Sequence, residues 1–92
     1  MSSAFYSFRY PEKDQLVATV TKILGFGKFK ASNKDGKEYF CSVPDNLLIK
    51  INLKEGDVVI IRPWNIDAEK ADFVWVYRLA HHDHLRKHGF IN

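Results

Sequence analysis

The chain has 92 residues, 46% of them apolar, and carries 14 Lys and Arg against 11 Asp and Glu, a net charge of +3. That length suits one domain with one modest core, and that composition excludes a disordered chain. The surplus of cations is mild; it suits an anionic partner such as RNA without demanding one.

A single cysteine, Cys41, rules out an internal disulfide and a cysteine metal cluster, and fits a reducing compartment. No apolar run approaches the ~18–20 residues of a membrane span. The start, "MSSAFYSFRYPEK", lacks a basic stretch followed by an apolar one, so it does not read as a secretory signal. The expectation is a soluble cytoplasmic protein that needs no membrane.

Residues 1–15 hold Ser, Pro and four aromatic rings, Phe5, Tyr6, Phe8 and Tyr10. They read as an irregular arm, with too many rings to be wholly solvated. "LVATVTKIL" at 16–24 is rich in β-branched residues and reads as a strand. Gly25 and Gly27 weaken regular pairing and predict a bend or bulge. "KFKAS" at 28–32 alternates with the period of a half-buried strand. "NKDG" at 33–36 is a turn signal, and "KEYFCSV" at 37–43 returns as a third strand. "EGD" at 55–57 is another turn. "VVIIR" at 58–62 is a fourth strand and "FVWVYRL" at 73–79 a fifth. "AHHDHLRKHGFIN" is helix-compatible up to Gly89, a candidate C-cap.

This order predicts an all-β fold with a terminal helix. Five short antiparallel strands close most economically into a Greek-key barrel of the OB type, which removes exposed edges. The predicted organisation is an arm over 1–15, an OB-fold RNA-binding barrel over 16–79, and a C-terminal helix and tail over 80–92 packed on the barrel.

The stretch "LGFGKFKASNKDG" at 24–36 raises two chemistries. As a phosphate loop it is poor. It lacks the third glycine of a dinucleotide fingerprint and the Gly-Lys-Ser/Thr of a P-loop, and a strand-like alternation follows where such loops need a helix. As a nucleic-acid surface it is better. Lys22, Lys28, Lys30, Lys34 and Lys37 lie within sixteen residues, offset by Asp35 alone. Such a cluster attracts phosphates, and counterion release drives binding. Phe26 and Tyr39 are candidate stacking rings for unpaired bases. The alternative is a solvated lysine hairpin with Phe26 and Phe29 in the core, and the pattern alone leaves both open.

"LGFGKFKASNKDGKEYFCSVP" followed by "EGDVVIIRPWNIDAEKADFVWVYRLAHHDHLRKHGFI" resembles the archaeal translation initiation factor 1A family. The similarity runs from "FRYPEKDQ" to "GFI", nearly the whole chain. Its most specific block is "EGDVVIIRPWNIDAEKADFVWVY", similar to the family's Glu-Gly-Asp-Val-Val-x-Val-x-Pro-Trp…Lys-Ala-Asp-Ile-Val-Trp-x-Tyr. "HLRKHGF" is similar to the family's Trp-Leu-Arg-Arg-Lys-Gly-Tyr ending. The resemblance implies an S1-like OB barrel acting as a monomer, with no enzymatic activity and no cofactor. Its implied partners are the rRNA of the small ribosomal subunit near the decoding A site and other initiation factors. The family's basic position after "LGxG" falls on Lys28, and a second falls on or beside Lys37.

One segment departs. Where the family has a Gly, a run of Lys and Arg, and Val-Trp-Ile, this chain has "DNLLIKINL". Leu48 and Ile49 stand where cations are expected, Asn52 replaces the Trp, and Lys50 alone survives. Each lost phosphate contact reduces affinity and flattens its salt dependence. Leu47, Ile51 and Leu53 are expected in the core, with Leu48 or Ile49 exposed, which leaves open a protein-interaction paralogue or a general single-stranded RNA-binding module.

His81, His82, His84 and His88 crowd the C-terminus, and His84 and His88 have the i, i+4 spacing of metal ligands. No Cys or upstream His completes a site, so no metal is expected. Trp75 is expected half against the core and Trp64 over the barrel rim. Arg62 is expected to reach a phosphate or to pair with Asp67 or Asp72, and Asp72 to anchor its loop. The serines are not matched by sequence logic with a His and a carboxylate, so no catalytic residues are expected.

Overall fold

A computed structural model describes residues 9–44, 52–77 and 81–91. Five strands and one helix follow in order: β1 Leu16–Gly25, β2 Lys28–Ser32, β3 Glu38–Ser42, β4 Val58–Pro63, β5 Lys70–Val76 and α1 His82–Lys87. The strands close a barrel in the order β1-β2-β3-β5-β4, with β4 returning to pair with β1. This is the five-stranded OB-type barrel with a terminal helix that the strand pattern predicts.

Two details differ from the sequence reading. The β3–β5 pair is parallel while the other four are antiparallel. Direction cannot alternate all the way round a ring of five strands, so one pair must run parallel. The fifth strand also starts at Lys70 rather than residue 73. Lys70, Ala71 and Asp72 pair with Phe40, Cys41 and Ser42 on one side, and Ala71 and Asp72 with Pro63 and Arg62 on the other. The polar letters "KAD" hide this strand start because Ala71, the inward residue, needs only a methyl group to fill its place.

β1 is the longest strand because it serves two neighbours. Leu16–Thr19 pair with β4, and Thr19–Gly25 pair with β2. Register shifts between Val20 and Lys22 and between Ile23 and Gly25 curl it around the barrel.

Alternate residues fill the interior: Ala18 and Val20, Phe29 and Ala31, Tyr39 and Cys41, Val59 and Ile61, Ala71 and Phe73. Phe29 and Phe73 meet edge to face at 6.4 Å, a favoured aromatic geometry. A second cluster lies outside the barrel, where Val17, Val58, Ile60 and Tyr77 are covered by Leu85 of α1. The two clusters explain why Val58, Val59, Ile60 and Ile61 are all buried in succession: the barrel interior takes one parity and α1 covers the other. Leu53, expected in the core, packs partly buried against the interior cluster. Leu47, Leu48, Ile49, Lys50 and Ile51 lie outside the described residues.

Six residues make too short a helix to persist alone, so α1 depends on its contacts. Gly89 (φ +78°) turns the chain at its end, the Gly89 N–H donates to the Arg86 carbonyl at 3.2 Å, and the Phe90 N–H donates to the Leu85 carbonyl at 3.0 Å. This paired pattern satisfies the last carbonyls, and the side chains of Phe90 and Leu85 join the same apolar cluster. Residues before β1 brace the helix from the other side. The Tyr77 hydroxyl donates to the Arg9 carbonyl. Tyr10 hydrogen-bonds His84 Nε2 at 3.1 Å and packs its ring 5.8 Å from that of Phe90.

Candidate nucleic-acid interface

β-Pairing puts cross-strand partners on one side of the sheet. Followed outward from β1, the register gives Lys22 opposite Lys30, Lys30 opposite Phe40, and Phe40 opposite Lys70. The row ends at Trp64, whose N–H donates to the Lys70 carbonyl at 2.8 Å. Cations and rings thus share one row across four strands. The Lys30 ammonium lies 5.0 Å from the Phe40 ring centroid and the Lys70 ammonium 5.5 Å from that of Trp64, both within cation–π range. Phe40 is 50% exposed, an open face for a large apolar ring in mid-strand.

Beside this row, Lys28 Nζ donates to its cross-strand partner Ser42 Oγ at 3.0 Å. Lys28 opens β2 directly after the Gly25-Phe26-Gly27 turn. Phe26 at the tip of that turn is 98% exposed and has φ +54°. A non-glycine residue pays about 1–2 kcal/mol for that backbone region, and among the described residues the exposed ring belongs to neither core cluster.

The structure sorts the sequence-predicted residues into groups. Lys22, Lys28 and Lys30 share the outward face, with Phe26 at its loop end. Tyr39 is a correction: its ring is 5% exposed and belongs to the barrel interior, so it offers no face to a base. The alternation along β3 gives that role to Phe40. Lys37 covers the Tyr39 ring at 5.1 Å rather than joining the row. Lys34 lies beyond the end of β2 and donates to the Gly89 carbonyl at 3.0 Å. Arg62 is a second correction. It pairs with neither Asp67 nor Asp72 but with Asp14, Nε to Oδ2 3.1 Å, although Asp72 is its cross-strand neighbour. Asp67, rather than Asp72, holds the β4–β5 loop, accepting from the Glu69 N–H on its side chain at 3.2 Å and from the Lys70 N–H on its carbonyl at 3.0 Å. Lys50 lies outside the described residues.

Sequence reasoning missed Phe40, Lys70 and Trp64 as members of one row. The signal was present in part: strand parity separates Phe40 from Tyr39 and Cys41. Which parity faces inward follows only from the pairing of Tyr39 with Ala31 and of Cys41 with Phe29.

Burial pushes the Cys41 thiol up to about 12, with the Asp72 carboxylate adding to the effect, so it is no thiolate nucleophile near neutrality. Burial likewise pushes the Tyr77 phenol up to about 12, against an opposing pull from Arg9. His84 and His88 stack at 4.2 Å. Among the described residues no three His, Cys, Asp or Glu side chains gather as a metal site, and no helix is long and apolar enough to cross a membrane.

The family model described as Translation initiation factor 1A / IF-1 matches residues 6–92. Translation initiation factor 1A of Haloarcula marismortui is 36% identical over 85 residues, covering 92% of this chain and 90% of that protein. That of Archaeoglobus fulgidus is 36% identical over 80 residues, covering 87% and 82%. Among solved structures, the solution structure of translation initiation factor IF-1 from the Wolbachia endosymbiont of Brugia malayi aligns with TM-score 0.56 at 20% identity, covering 77% of this chain and 90% of that one.

Proposed function

The chain belongs to the Translation initiation factor 1A / IF-1 family, and from that premise we propose that it binds small-subunit rRNA beside the decoding A site. There it blocks premature entry of tRNA and helps initiator tRNA and start codon take their places. The observation that carries this reading is the row Lys22–Lys30–Phe40–Lys70–Trp64, with Lys28 and Phe26 at its loop end.

Lysines on a rigid barrel wall meet phosphates at fixed spacings, and each contact releases condensed counterions. Folded RNA is read mostly by shape and backbone, with unpaired bases stacked on aromatic rings. Phe40 supplies such a ring from a strand, flanked by two lysines. Phe26 supplies one from a loop tip whose strain is kept for contact with a partner. The work is positioning and exclusion, so no bond need be made or broken, and other initiation factors act beside it. The Leu48 and Ile49 substitutions in the family's basic run shift the electrostatic share of binding onto the β1–β2 lysines.

The test is a competition between small ribosomal subunits and an unstructured oligonucleotide for labelled protein. A factor that recognises folded rRNA is displaced by subunits at far lower concentration. Equal displacement by the oligonucleotide is the result of a general single-strand binder and ends the reading.

A further inference from the structure

The cations of the outward face are held in different ways. Lys30 and Lys70 lie over the rings of Phe40 and Trp64. Lys70 also lies 4.0 Å from Asp67, and Arg62 is paired with Asp14. Lys28 differs from all of these. Its Nζ donates to the Ser42 hydroxyl at 3.0 Å, and among the described residues it forms no ion pair. A carboxylate partner cancels much of the field that an ammonium offers to a phosphate. A hydroxyl carries no net charge, so it fixes the ammonium and leaves that field whole.

The backbone under this contact is firmly held. Lys28 and Ser42 are direct cross-strand partners on β2 and β3, and Ser42 is backed on its other side by Asp72 of β5. The Val43 N–H donates to the Gly27 carbonyl at 2.8 Å, which ties the start of β2 to the end of β3. One χ angle places the Ser42 hydroxyl. The lysine stem, by contrast, is long and flexible, with a large rotamer entropy to lose. An ammonium has three donors, so two remain for a phosphate after the bond to Ser42.

We propose that Ser42 is a positioning residue for the RNA contact of Lys28, holding the ammonium in place at the loop end of the row before RNA arrives. The inference rests on the reading of this face as an rRNA interface and adds to it a neutral side chain that acts through its neighbour. Ordering a side chain in advance raises affinity by reducing what is immobilised on binding. It does not alter the number of counterions released, because Lys28 carries the same charge with or without its tether. Ser42 therefore sets the height of a log–log salt plot and not its slope, whereas Lys28 sets both.

The experiment measures binding of the full chain to purified small ribosomal subunits over a salt series. It compares the unaltered chain with Ser42→Ala, Ser42→Thr, Ser32→Ala, Lys28→Gln and the double variant Ser42→Ala/Lys28→Gln, with melting curves to confirm that each folds. Ser42→Ala is expected to weaken binding about two- to tenfold at unchanged slope, the range for ordering one long side chain. Ser42→Thr keeps the hydroxyl and restores binding. Ser32→Ala, the same truncation at the far end of β2, has no effect. Beside Lys28→Gln, Ser42→Ala weakens binding no further, since the residue through which it acts is gone. NMR relaxation of the free chain adds a readout that needs no ribosome: Ser42→Ala loosens the Lys28 side chain. Equal Lys28 mobility in the two free chains overturns the tether. A Ser42→Ala loss that persists in full beside Lys28→Gln also overturns it, because Ser42 then meets RNA by itself. Normal binding by both the unaltered chain and Ser42→Ala overturns this role alone, whereas an unaltered chain that ignores subunits overturns the reading of the whole face and this role with it.

Discussion

The Lys30 ammonium stands 5.0 Å from the Phe40 ring centroid, and the two residues are direct cross-strand partners on β2 and β3. The neighbouring position on β3 holds Tyr39, whose ring is in the barrel interior. Two adjacent aromatics thus have opposite duties. Phe40→Ala is expected to leave the fold intact and to weaken RNA binding by about 1–3 kcal/mol, the usual cost of removing a stacking ring. Tyr39→Ala is expected to cost about 3–5 kcal/mol of stability, the range for emptying an aromatic site in a core. Denaturant titration beside a binding isotherm separates them; a stable but non-binding Tyr39→Ala protein would contradict the assignment.

Phe26 is expected to show stability and binding moving in opposite directions. Its backbone lies at φ +54° with the ring in solvent. Glycine removes a strain of about 1–2 kcal/mol and returns about 0.4–1 kcal/mol through the greater freedom of the unfolded chain. Phe26→Gly should therefore stabilise the protein by about 0.5–1 kcal/mol while weakening its hold on small subunits. Thermal unfolding and a subunit-binding assay on the same preparation check both signs.

Asp14 holds Arg62 as a phosphate would. The pair is largely exposed on both sides, so Asp14→Asn is expected to change stability by less than about 1 kcal/mol. It also removes a negative charge beside the end of the row, so subunit affinity at low salt should rise a few-fold. Loss of affinity would mean that Asp14 positions Arg62 for binding rather than competing for it.

His82 sets a pH dependence whose sign follows from its environment. Loss of solvation and Arg86 hold its pKa below the ordinary 6.5. Between the folded and unfolded values the unfolded chain binds more protons, so stability rises with pH there. The contribution is fully present above about 6.5 and is lost as pH falls from there through the lower, folded value. His84, depressed by loss of solvation and by His88, acts in the same direction. Melting temperature should fall between neutral and mildly acid pH, and His82→Gln should flatten part of that fall. A melting temperature that rises on acidification would contradict it.

Much of the barrel was legible because its signals are local. Alternation in "KFKAS" and "KEYFCSV", the glycines around Phe26 and the turn at "NKDG" each act within a few residues. The Gly89 stop was legible for the same reason. What was hidden depends on distance. The start of β5 at Lys70 is fixed by pairing with β3 and β4, not by its own polar letters. The partner of Arg62 lies before β1. Lys34 and Lys37 sit close to Lys28 and Lys30 in sequence, but the turn carries them to the other end of the hairpin, against Gly89 and Tyr39. Charge counting along a chain cannot see that separation, and so it joined two surfaces into one.

The most direct test is sedimentation with purified small ribosomal subunits across a salt series, comparing the unaltered chain with Lys28→Gln. The unaltered chain should bind at low ionic strength with an affinity that falls linearly on a log–log plot. Lys28→Gln should bind more weakly, with a slope smaller by about 0.7–0.9, one phosphate contact. A chain that fails to sediment with subunits even at low salt, or a variant with unchanged affinity and slope, would contradict the docking of this face on rRNA.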